Sequence, residues 1–176
     1  YKQRAYGLNW QMRILRETGL LDRSHPLLLL ADYRFTTNVE LIKAFSKACQ
    51  TTWPEFLLYL VDEPHTPEQI EQAKRLNAIA HTIPGVRTTT AIAQPGELAD
   101  SYDVWIVSTS TVEFEKTCQL AREKAREMWA YNCIWNGSQP LNDRYYSGLF
   151  TWTAGLRGNW QWCYTEDTRG SSDFNA

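Results

Sequence analysis

Apolar runs alternate with capped amphipathic stretches along the chain. Phe56-Leu57-Leu58-Tyr59-Leu60-Val61 is an uninterrupted apolar run that ends on Asp62, Glu63 and Pro64. A strand buried on both faces reads this way. Leu27 to Asp32, Val86 to Ile92, Asp103 to Ser108, Glu127 to Cys133 and Asn159 to Tyr164 are the other predicted strands. Helical spacing fills the intervals. Leu8, Met12 and Leu15 share one face of a helix that Gly19 terminates. Thr37-Asn38-Val39-Glu40, Thr66-Pro67-Glu68-Gln69 and Ser110-Thr111-Val112-Glu113 each read as a capping box, in which a hydroxyl and a carboxyl or amide satisfy free N–H groups at a helix start. Pro67 suits the first helical position, where its missing N–H costs nothing. Leu41, Phe45 and Ala48 face inward on the first of these helices. Ile70, Ala73, Asn77, Ala80 and Ile83 mark the second, and Phe114, Cys118, Ala121 and Ala125 the third. A short irregular helix is expected around Pro95 to Ala99, and an aromatic-rich one over Asp143 to Leu156, with a turn at Arg157-Gly158.

Strands and helices alternating at this spacing predict an α/β fold with a parallel sheet under helical cover. Two architectures compete. An open doubly wound sheet usually carries a glycine-rich first turn for phosphate, and the turns after these strands carry Asp, Glu, Pro and Thr instead. A (β/α)8 TIM barrel needs about 250 residues, and the chain has 176. A partial barrel, in which the six strands are strands three to eight, reconciles pattern with length. Residues 1–165 are expected to form this partial barrel, and 166–176 read as a polar C-terminal tail.

Composition narrows the function. The formal net charge is -2, with Lys and Arg scattered, so no basic footprint for nucleic acid is present. No apolar segment approaches the roughly 20 residues of a membrane helix. Cys49, Cys118, Cys133 and Cys163 are widely spaced, without a CxxC or Cys/His cluster, so no metal site is expected. Cys49 and Cys118 read as buried free thiols. No cofactor motif appears. Asn136-Gly137-Ser138 fits a glycosylation sequon but reads first as a plain turn.

Carboxylates at the C-terminal end of a buried parallel strand lie where barrel enzymes place catalytic groups. Asp62 and Glu63 therefore lead the candidates, and glycoside hydrolysis leads the chemistries. Adjacent strand residues point to opposite faces, so both acids reach one cavity only if the strand ends there; Pro64 favours that end. Two carboxylates sharing a site resist ionising together, which helps keep a general acid protonated near neutrality. The structural alternative is an Asp that accepts hydrogen bonds in a loop and a Glu that is solvated. Asp32 and Arg34, at the end of the first strand, are candidate sugar-hydroxyl ligands or a surface ion pair. Gln94 follows the strand that ends at Ile92. Trp162 and Tyr164 are candidate sugar platforms, because the apolar face of a pyranose packs on an aromatic ring. Trp160 is expected to pack below them. Glu127 falls at the opposite end of its strand, so that strand offers no carboxylate nucleophile of the usual retaining type.

Three blocks carry a family resemblance: Tyr59-Leu60-Val61-Asp62-Glu63-Pro64 with Thr66-Pro67, then Glu127-Met128-Trp129-Ala130-Tyr131-Asn132-Cys133, then Arg144 to Trp152 running into Gly158-Asn159-Trp160-Gln161-Trp162. In this order they resemble glycoside hydrolase family 123 and the related domain-of-unknown-function family 4091, over the C-terminal part of the barrel. The resemblance implies cleavage of β-linked N-acetylgalactosamine by a substrate-assisted mechanism. Glu63 would be the general acid/base. Asp62 would orient the 2-acetamido nitrogen while the acetamido oxygen attacks the anomeric carbon. Tyr131 would donate to that oxygen. An extracellular or periplasmic location is implied by the same likeness alone. A carbohydrate substrate is the expected partner, with neither nucleic acid nor membrane. A barrel short of two strands leaves unpaired sheet edges, which predict a homodimer or pairing with the missing N-terminal part of the barrel. The rivals are a glycosidase for other sugars with its second carboxylate in that missing part, and a non-catalytic carbohydrate-binding fragment.

Overall fold

The computed structural model describes residues 13–19, 28–31, 38–51, 56–132 and 140–161. The chain divides into two units, Tyr1–Thr89 and Thr90–Ala176.

In the first unit, residues 13–17 are helical and close on a turn at Thr18 and Gly19, where Gly19 takes φ 72°. Strand β1 (Leu28–Ala31), helix α1 (Val39–Thr51), strand β2 (Phe56–Tyr59), helix α2 (Pro67–Ala80) and the start of β3 (Arg87–Ala91) follow in order. β1 pairs in parallel with β2, Leu28 opposite Phe56 and Ala31 opposite Tyr59. β2 pairs in parallel with β3, Leu57 opposite Arg87 and Tyr59 opposite Thr89. Leu57 and Leu58 are both fully buried although they face opposite ways, which explains why this strand reads as one apolar run. Burying each such side chain contributes about 2 kcal/mol.

Helix α1 starts one residue later than the expected capping box. Asn38 Oδ1 accepts from the Leu41 N–H at 3.1 Å. Glu40 pairs with Lys43 at 2.7 Å. Thr37 lies outside the described residues. The second box forms as expected. Thr66 Oγ1 accepts from the Gln69 N–H at 3.3 Å, and Gln69 Oε1 accepts from the Thr66 N–H at 3.1 Å. Ala73, Leu76, Asn77 and Ala80 are buried. Asn77 belongs there because its amide donates to the Ala73 carbonyl one turn back, at 2.8 Å. Leu76 is a core residue that the spacing expected from the sequence passed over.

In the second unit the chain continues from the end of β3 through a 3-10 turn (Gly96–Leu98), strand β4 (Val104–Ser108), helix α3 (Phe114–Glu123), strand β5 (Glu127–Asn132), a helical run and strand β6 (Gly158–Gln161). β4 pairs in parallel with β5, Val104 opposite Glu127 and Ser108 opposite Tyr131. β5 pairs in parallel with β6, Trp129 opposite Gly158 and Tyr131 opposite Trp160. Val104, Trp105, Ile106 and Val107 are fully buried, so β4 is also covered on both faces. At the base of β4, Lys124 meets Asp100 at 2.7 Å, and Arg126 approaches Asp103 at 3.9 Å. The Lys124 hydrogen bond, with its charge, holds the Asp100 carboxyl below its ordinary pKa.

The third expected capping box does not form. α3 begins at Phe114, and its cap residue, Glu113, makes no side-chain cap bond. Ser110 Oγ is engaged with Ser108 Oγ at 2.8 Å, and the Glu113 carboxylate takes Lys116 at 2.6 Å. Cys118 is buried and unoxidised as expected, and burial pushes its thiol pKa up.

The aromatic helix also differs from expectation. It starts at Pro140 and has three parts: α4 (Pro140–Arg144), a π-helical stretch (Tyr145–Phe150) and α5 (Thr151–Thr153). Thr151 Oγ1 donates to the Tyr146 carbonyl at 2.6 Å, and Asn159 Nδ2 reaches the same oxygen at 3.4 Å. A hydroxyl inserted at that carbonyl displaces the regular helical pairing there.

Neighbouring strands within each unit are parallel and run in chain order, with helices over the longer connections. Within the second unit the residue after β3 also pairs with β4, the Ile92 N–H donating to the Ile106 carbonyl at 2.9 Å, whereas a doubly wound sheet would put its first strand beside the fourth at the switch point. The chain is therefore α/β with the singly wound, parallel strand order of a (β/α) barrel.

Candidate active site

β2 ends at Tyr59, two residues before the apolar run ends at Val61. Leu60 and Val61 stay buried, and Val61 is 8% exposed. Burial then stops: Asp62 and Glu63 are both exposed. The acid pair thus occupies the loop between the C-terminal end of β2 and the capped start of α2, where parallel α/β folds place functional groups. Ending the strand before the pair removes the alternation that would send the two side chains to opposite faces.

Each acid is held differently. The Tyr59 hydroxyl donates to Asp62 Oδ1 at 2.5 Å. Tyr59 is 7% exposed, so a buried ring fixes the carboxylate through a short, charge-assisted bond. The second Asp62 oxygen remains available for a ligand donor. Among the described residues, no hydrogen bond or ion pair engages the Glu63 carboxylate. Its backbone has φ 39°, a left-handed value rare for a residue with a Cβ and more so before proline, which pushes its predecessor toward extended conformations. His65 follows, exposed, with Nδ1 2.7 Å from the Glu63 carbonyl. Its own N–H donates to Gln69 Oε1 at 3.1 Å.

Of the other expected site residues, Asp32, Arg34, Trp162 and Tyr164 lie outside the described residues. Gln94 is exposed just past β3. Tyr131 is half-buried near the end of β5. Its ring lies against that of Trp160, centroids 5.5 Å apart and tilted 33°. Trp160 is thus level with Tyr131 across the sheet. Below this pair, the Trp129 ring covers Gly158, and its Nε1 donates to Glu127 at 2.8 Å. Glu127 is a structural acid at the start of its strand, as its position in the sequence implied. Two contributors escaped sequence reasoning. Tyr59 read as core, and its link to Asp62 becomes visible only when the strand end is known. His65, between the acid pair and the capping box, belongs to no motif in the sequence. No cluster of three or more metal-ligating side chains occurs among the described residues. None of the described helices is long and apolar enough to cross a membrane.

No protein-family model matches the sequence, and no curated protein does. Among solved structures, the chain is similar to a phospho-2-dehydro-3-deoxyheptonate aldolase from Francisella tularensis SCHU S4, with TM-score 0.43 and 14% identity over 64% of this chain. The match spans 39% of the aldolase chain.

Proposed function

We infer that this chain is part of a glycosidase that cleaves β-linked N-acetylhexosaminides, N-acetylgalactosamine-like, with retention and substrate assistance. Glu63 protonates the glycosidic oxygen, and later deprotonates the attacking water. Asp62 accepts from the 2-acetamido N–H while the acetamido oxygen attacks the anomeric carbon. In the same reading, β1 to β6 correspond to strands three to eight of a (β/α)8 barrel.

The observation that carries this reading is the state of the acid pair. Both carboxylates are solvent-facing at the C-terminal end of β2, and neither is consumed by an ion pair among the described residues. They also differ in the way the two roles demand. Asp62 is pinned by one oxygen, which suits a group that must orient an N–H. The Glu63 carboxylate is unengaged among the described residues, which suits one that must exchange a proton with substrate and water. Substrate assistance removes the need for a protein nucleophile, and β5 supplies none at its C-terminal end.

The test is hydrolysis of 4-nitrophenyl N-acetyl-β-D-galactosaminide by the unmodified chain and by Glu63→Gln. General acid/base removal lowers turnover by about 100-fold or more. Equal turnover in the two proteins overturns the proposal. An acetamido-thiazoline inhibitor separates the sugar classes: tight binding supports the acetamido mechanism, and turnover of other glycosides without such binding supports a conventional two-carboxylate enzyme.

A further inference from the structure

The backbone of Glu63 is the least expected feature of the candidate site. A residue with a Cβ at φ 39° is held in a sparsely populated region, and such positions persist only when their surroundings determine them. Here the surroundings are specific. The Glu63 carbonyl can only accept, so His65 Nδ1, 2.7 Å away, carries the proton and donates it. His65 is itself tied down through its backbone N–H to Gln69 Oε1. Gln69 Oε1 also takes the Thr66 N–H and closes the capping box of α2. An unbroken path of hydrogen bonds therefore runs from the rigid helix start, through Gln69 and His65, to the main chain of the proposed acid.

We propose that His65 is a positioning residue: its Nδ1–H locks the left-handed backbone of Glu63 and so aims the carboxyl group at the glycosidic oxygen. This rests on the glycosidase reading of Asp62 and Glu63. His65 touches no reacting atom in this role and exchanges no proton with the substrate. Its contribution is orientation, and small misplacements of a catalytic group are costly in rate.

Two variants of the full 176-residue chain test this, beside Glu63→Gln as the reference. His65→Asn keeps a side-chain N–H near the position of Nδ1. His65→Leu removes the donor at similar bulk. Both sites are exposed, and circular dichroism checks that each variant is folded. On the 4-nitrophenyl substrate, His65→Leu lowers kcat by about tenfold or more with KM within about twofold, and His65→Asn recovers most of the loss. Three results overturn the inference: a His65→Leu kcat equal to that of the unmodified chain, an effect confined to KM, or no rescue by Asn. If Glu63→Gln abolishes turnover while His65→Leu leaves it intact, only the positioning role falls. If Glu63→Gln leaves turnover intact, the glycosidase reading falls and takes this role with it.

Discussion

Asp62 and Tyr59, three positions apart, are joined by one short hydrogen bond. A hydrogen bond from a hydroxyl to a carboxylate contributes about 1.5–3 kcal/mol, enough to fix one rotamer of Asp62 against solvent. Tyr59→Phe removes that donor while keeping the buried ring. The expected outcome is a kcat on the N-acetylgalactosaminide lowered by about tenfold, with the fold unchanged; steady-state kinetics reads it. Gly158 makes a purely structural prediction. A Cβ built there would stand 2.7 Å from one Trp129 ring carbon and 2.9 Å from two others. The indole is also tied to Glu127, so it cannot easily move. Gly158→Ala should destabilise the chain by about 1–3 kcal/mol, measured by urea unfolding. Neither contact was legible in the sequence. The first depends on where a strand stops, and the second on which ring meets a glycine across a sheet.

Elements whose signals are local were legible, and elements whose ends are decided by competing partners were not. β2 and β4 stood out because both faces are buried, leaving no polar alternation to obscure them. The start of α2 was legible because Thr66, Pro67 and Gln69 are mutually sufficient. Thr66→Ala removes one half of that box and should cost about 1 kcal/mol, a fall in Tm of about 2–4 °C for a chain of this size. An unchanged melting curve would deny the cap its role. Ser110 to Glu113 offers the same letters and fails, because Ser108 and Lys116 claim the hydroxyl and the carboxylate first. The π-helical stretch was invisible for a similar reason: the Thr151 hydroxyl and the Asn159 amide meet at one carbonyl of Tyr146, and thirteen residues separate the last two. Aromatic rings then settle around the widened turn, with Phe114 and Phe150 5.5 Å apart and Tyr146 5.6 Å from Phe150.

For the molecule as a whole, alternation of strand and helix was enough to give a parallel α/β fold, and the missing phosphate loop was enough to set aside a nucleotide-binding sheet. Within each unit the strands run in chain order, as a barrel wall requires. Among the described residues, β1 and β6 each pair on one side only. Leu141, Leu149 and Trp152 are also exposed, Trp152 at 77%. Unpaired strand edges and exposed large apolar groups favour association. Light scattering of the purified chain should therefore give a mass above the 20.4 kDa of one copy; a monomer at all concentrations would show that the edges are protected. The proposed substrate depends on neither result, because the acid pair and its two supports lie within a single stretch, Tyr59 to Gln69.

That stretch makes one demand of the chemistry: Glu63 must deliver a proton to the departing oxygen. The decisive measurement is kcat/KM of Glu63→Gln, which reports departure of the leaving group and not the later deprotonation of water, relative to the unmodified chain, on two N-acetyl-β-galactosaminides that differ in their leaving groups. With 4-methoxyphenol, which needs a proton to depart, the variant should lose about 100-fold or more. With 2,4-dinitrophenol, which departs without one, the loss should be far smaller. An equal loss on both substrates, or none on either, would contradict the assignment of Glu63 as the acid.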